Sequence, residues 1–83
     1  MRVLIIDDER SIRNTLKEIL EFEGHQITLA ADGAEGLEAA SSASFDVIFC
    51  DIKMPGMDGI EVLDKLMAMG IDSSVVMLSL IHI

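Results

Sequence analysis

The sequence predicts an α/β protein organised around a parallel sheet, and three observations lead there. Two short, largely apolar runs are closed by aspartate, residues 3–6 by Asp7 and residues 46–51 by Asp51, and segments with helical spacing alternate with such runs along the chain. Half of the 83 residues are apolar, at 51%. Three aromatic residues, all Phe, leave the core to aliphatic side chains, which suits short strands covered on both faces.

Residues 3–6, Val-Leu-Ile-Ile, read as a buried first strand ending at Asp7. From Ser11 the apolar residues Ile12, Leu16, Ile19 and Leu20 follow helical spacing until Gly24 stops the pattern. Residues 26–30 form a second, weaker strand. Asp32-Gly33 signals a turn, and residues 34–40 have high helix propensity with Leu37 inward, before the small polar stretch 41–44 breaks the helix. Residues 46–51 repeat the design of the first strand and end at Asp51. Pro55-Gly56 forces a loop. Asp58-Gly59 then leads into a third helix with a stripe of Ile60, Val62, Leu63, Leu66 and Met67, ended by Gly70. Residues 75–83 read as a fourth strand. Strands joined by helices at this spacing require right-handed crossovers and parallel pairing.

Fifteen acidic residues against six basic ones give a formal charge of −9, which argues against nucleic acid or anionic membrane as partners of this segment. A single Cys excludes an internal disulfide, and no Cys/His spacing suggests zinc. No stretch reads as a signal peptide or spanning helix, so the expected location is the cytoplasm. At this length one domain is the limit, burying roughly 60–65% of the surface of its unfolded chain.

In open parallel sheets ligands gather outside the carboxyl ends of the strands, where Asp7, Asp8 and Asp51 all fall. Carboxylates so placed repel unless a cation neutralises them. Magnesium suits the set, because it takes one or two carboxylates together with phosphate oxygens. A carboxylate beside that ion can attack phosphorus and form an acyl phosphate. This chemistry leaves all three aspartates open as nucleophile, although the loop of residues 52–59 follows Asp51 alone.

Asp7-Asp8 after the first strand, and Asp51-Ile52-Lys53-Met54-Pro55-Gly56-Met57-Asp58-Gly59 after the third, resemble the signature of response-regulator receiver domains. The resemblance covers residues 1–79 and implies a flavodoxin-like, doubly wound sheet with the first strand between the second and third. It further implies that Asp51 accepts a phosphoryl group from a sensor histidine kinase. Asp8, Asp51 and the Lys53 backbone carbonyl would ligate Mg²⁺, Asp7 would act through water, and Ser79 would be the hydroxyl that hydrogen-bonds the phosphoryl group. The first helix is where sensor kinases dock in this family. On this reading the chain is a signalling module and not an enzyme.

The family pattern continues through a fourth helix, a fifth strand carrying a Lys, and a fifth helix, so residues 1–83 read as a partial receiver domain. Where the family places a small residue after the hydroxyl, this chain has Leu80, whose bulk would obstruct phosphate. Residues 78–83 equal the translation of a transposase-adapter end, CTGTCTCTTATACACATC, and are expected to be a non-native tail. The apolar run from residue 75 would leave an exposed edge open to self-association or a homodimer.

Other readings remain. A magnesium-dependent phosphatase would need an acid at position 53, which is Lys; a nucleotide-binding module would need a glycine-rich phosphate loop after the first strand. A non-functional fragment is the third. Cys50 reads as a core residue, Met54 and Met57 as loop packing, His25 as exposed, and Glu9 and Arg10 as surface charges at a helix start.

Overall fold

In the computed structural model residues 1–78 are described; Ser79 and the rest of the expected tail lie outside them. The elements are β1 (Arg2–Ile6), α1 (Arg10–Phe22), β2 (Gln26–Ala30), α2 (Gly33–Ser42), β3 (Val47–Asp51), α3 (Gly59–Ala68) and β4 (Ser74–Leu78). All strand pairs are parallel and their order is β2-β1-β3-β4, as the doubly wound reading requires. Right-handed crossovers to strands on opposite sides of β1 set α1 on one face of the sheet and α2 and α3 on the other.

Local chemistry fixes the helix ends. Asp32 and Asp58 cap α2 and α3, each accepting the N–H of the residue three further on, Glu35 at 2.8 Å and Glu61 at 2.9 Å. Helices α1 and α3 end in one motif: Gly24 and Gly70 take positive φ, and His25 and Ile71 donate back to Leu20 and Leu66. Helix α2 runs two residues beyond the expected 34–40 at its C-terminus. The Ser41 and Ser42 hydroxyls donate to the Glu38 carbonyl, so the serines extend the helix that they were expected to break.

The two faces of the sheet are unequal. Leu4, Ile6, Ile48 and Cys50 point toward α2 and α3 and form one core with Phe45, Met54, Val62 and Leu66. On the α1 face Val3 and Ile5 are buried, but their neighbours Val47 and Phe49 are only half-buried and Val76 is 42% exposed. No residue of α1 is fully buried; Ile19 is 55% and Phe22 90% exposed. The helical spacing of α1 is real, yet one helix lies over β2 and leaves the β3–β4 side of this face open. In α3 the core takes Val62 and Leu66, whereas Ile60 and Met67 of the expected stripe face solvent.

Within the described residues β2 and β4 are the two edge strands of the sheet. Ser74 donates to Asp46 and Leu78 accepts from Ile52, so alternation along the strand turns the backbone groups of Val75 and Met77 away from β3. Among the described residues no helix is long and apolar enough to cross a membrane.

Candidate functional site

The central strands β1 and β3 deliver three carboxylates to one end of the sheet. Asp7 directly follows β1, Asp8 comes next, and Asp51 is the last residue of β3. Each offers an oxygen within 4.8 Å of the others, the grouping expected where two neighbouring strands end in aspartate. Asp7 and Asp51 are buried, and Asp8 is exposed at the mouth.

Asp7 is held on several sides. Its N–H donates to the Ala30 carbonyl at 3.1 Å, its Oδ1 accepts from the Glu9 N–H at 2.8 Å, and its carbonyl oxygen accepts from Arg13 Nη1 at 2.7 Å. Its Oδ2 is buried with no hydrogen-bond partner. Such an atom is costly unless something cationic or protic meets it. Asp51 Oδ1 accepts from the Lys53 N–H at 3.3 Å. The Lys53 side chain is exposed, so its tie to Asp51 is through its backbone amide.

Burial raises the Asp51 carboxyl above the ordinary carboxylate value, and the charges of Asp7 and Asp8 add to the effect against the Lys53 hydrogen bond. Burial likewise raises Asp7, opposed by the Glu9 amide and by Arg13. Both shifts express an excess of negative charge in a dry place. Three oxygen donors, one of them buried and unsatisfied, fit a hard divalent cation such as Mg²⁺.

The loop after Asp51 is compact. Gly59 donates to the Ile52 carbonyl at 2.8 Å, and Met54 is buried in the core while Met57 packs against it. The first turn of α3 thereby presses on the end of β3. A Cβ on Gly59 would meet the Asp51 carbonyl oxygen and lie 2.7 Å from Ile52 Cα. That closeness was not read from Asp58-Gly59, which looked like a plain helix start.

Cys50 is fully buried on the α2 and α3 face, and burial, then Asp51 and Asp7, push its thiol up to about 11. It is a core residue, as expected. His25 is half-buried, not exposed, and its Nδ1 lies 3.0 Å from the Met1 amino group. Arg13 was missed altogether; its link to the Asp7 backbone depends on how α1 leaves the sheet, which no spacing rule conveys. A cavity of about 430 Å³ lined by Ala43, Phe45, Asp46, Ile71 and Asp72 includes none of the three clustered aspartates.

The chain matches the family model for the response regulator receiver domain over residues 3–82. Response regulator MprA from Mycobacterium avium and from Mycobacterium leprae is 38% identical over 79 residues, covering 95% of this chain and 35% of each relative. The chain thus spans about a third of the length of these curated relatives. The Francisella response regulator 1452 receiver domain superposes with a TM-score of 0.89 at 37% identity, covering 94% of this chain and 64% of that one. Thermotoga maritima TrrA, solved in complex with Mg²⁺-BeF, gives 0.89 at 38% identity, with 94% and 68% covered.

Proposed function

Because this chain belongs to the response regulator receiver domain family, we propose that it is a phosphoacceptor module with Asp51 as the acceptor. The grouping of the Asp7, Asp8 and Asp51 carboxylates within 4.8 Å carries this reading. Asp51 ends a rigid central strand, and the Lys53 amide orients its Oδ1. In the transfer a carboxylate oxygen of Asp51 forms a bond to phosphorus as the P–N bond of a phosphohistidine breaks, and the freed imidazole takes up a proton.

Asp8, Asp51 and the Lys53 carbonyl would hold Mg²⁺, with Asp7 acting through water; TrrA, solved with Mg²⁺-BeF, supports this choice of ion. When bound, the ion offsets charge on the transferring phosphoryl oxygens. Asp7 keeps the pocket anionic enough to recruit it, and the Glu9 amide fixes the orientation of the Asp7 carboxylate. Ser79, the residue after β4, would supply a hydroxyl to the phosphoryl group.

The donor partner is a sensor histidine kinase, and the setting is the cytoplasm. The module signals by changing shape and has no turnover substrate of its own. Its −9 charge disfavours nucleic acid and anionic membrane surfaces as partners of this segment.

The test is intact mass of the purified chain after exposure to acetyl phosphate, with and without Mg²⁺, beside Asp51→Asn. Addition of one phosphate that requires both Mg²⁺ and Asp51 is expected. A folded chain that gains none, or that gains it equally as Asp51→Asn, refutes the assignment.

A further inference from the structure

Asp7 and Asp8 project from a single turn between β1 and α1, and the helix that follows it packs lightly, with no residue fully buried. The described bonds that hold the turn converge on Asp7: its N–H on Ala30, its Oδ1 on the Glu9 amide, and its carbonyl oxygen on Arg13. Of these, the Arg13 bond alone joins the turn to the body of α1 through a side chain. It is 2.7 Å long, within the range of charge-assisted bonds, which are about twice as strong as neutral ones.

Building on the cation site proposed above, we infer that Arg13 is a positioning residue for that site. By clamping the Asp7 carbonyl it sets the path of the backbone through Asp7 and Asp8, and so the aim of both carboxylates. Arg13 lies one helical turn into α1, so it also ties the start of that helix to the carboxyl end of β1.

Arg13 acts on a bound cation in two opposed ways, which makes the inference decidable by sign. Its positive charge competes with any cation at the cluster, so a purely electrostatic role predicts tighter Mg²⁺ binding once the charge is removed. A positioning role predicts weaker binding despite the lost repulsion. Partners that orient metal ligands are typically worth roughly 10–100-fold in affinity, and a tie acting through the backbone belongs near the low end, about 10-fold.

The experiment compares wild type, Arg13→Met and Arg13→Lys. With no Trp or Tyr in the chain, Mg²⁺ affinity is read by calorimetry and by amide shifts of Asp8 and Glu9. The second readout is hydrogen exchange of the Glu9 amide without metal. Arg13→Met should bind Mg²⁺ about 10-fold more weakly and exchange Glu9 faster, with Arg13→Lys recovering much of both because it keeps a donor. If Arg13→Met fails to fold by circular dichroism, Arg13→Gln, which keeps a neutral donor, takes its place with losses expected between those of wild type and Met. Equal or tighter Mg²⁺ binding with unchanged Glu9 exchange overturns the inference. A wild-type chain that binds no Mg²⁺ would refute the cation site itself, and Glu9 exchange would still decide whether Arg13 holds the turn.

Discussion

Replacing Gly59 by Ala asks how much the phosphoacceptor end of β3 depends on the close seat of α3. The added Cβ would lie 2.7 Å from Ile52 Cα, where ordinary contact begins at 3.4 Å, so the backbones must part by roughly 0.7 Å there, and further at the Asp51 carbonyl. Overpacking costs about 1–3 kcal/mol, and the upper half applies because backbone atoms cannot rotate aside. Ala regains up to about 1 kcal/mol of helix propensity, leaving a net loss of about 1–2 kcal/mol. A chain of this length has roughly 4–12 kcal/mol in total. With a urea m-value of about 1 kcal/mol/M, the unfolding midpoint should fall by about 1–2 M. The same displacement stretches the bond from Gly59 to Ile52 and loosens the loop that presents the Lys53 amide to Asp51, so acetyl phosphate labelling should slow in parallel. Ile60→Ala, one residue on and exposed, is the control and should shift stability by no more than about 0.5 kcal/mol. Gly59→Ala with an unchanged midpoint and unchanged labelling would refute the packing argument.

Three further outcomes are expected. Burial raises Asp7 and Asp51, so the native metal-free chain retains protons that the unfolded chain releases, and these groups weaken the fold as pH rises from the unfolded value near 3.8 through their raised native values. Asp51→Asn should therefore gain stability over wild type across that window in urea titrations with chelator, and a difference that does not vary with pH counts against this. Asp58→Ala removes the cap on α3 and should cost about 1 kcal/mol in the same assay, leaving the Mg²⁺ requirement of labelling intact. Val76→Lys replaces an apolar side chain that is 42% exposed on the sheet with a charge, and should shift any oligomer seen by sedimentation toward monomer; oligomers that persist unchanged would place the contact elsewhere.

The order of elements and the strand-end placement of the aspartates were legible from local signals, and the resemblance to receiver domains supplied the neighbouring of the first and third strands. An apolar run that ends in Asp fixes a strand and the end at which its carboxylate emerges, and two such strands side by side make the cluster. Burial depended on what lies across from each residue, and spacing is blind to that. Ile60 and Met67 share the helical period of Val62 and Leu66 yet face water, and the α1 stripe leaves Ile19 and Phe22 exposed. Ser41 and Ser42 were misread because a serine that favours turns can also bond to the preceding helical turn. Gly59 and Arg13 escaped notice for a related reason: each matters through one backbone oxygen, that of Asp51 or Asp7, set by the three-dimensional path of the chain.

The interior position of β1 has a consequence for biosynthesis. The strand that comes first along the chain is flanked by β2 on one side and β3 on the other, so each later unit adds outward to what has already emerged. All three clustered carboxylates are outside once residue 51 has left the ribosome, before α3 and β4 have emerged and folded. Stalled nascent chains of increasing length, probed by limited proteolysis with and without Mg²⁺, should therefore first show cation-dependent protection when β3 clears the exit tunnel, which would make the ion a participant in assembly as well as in signalling.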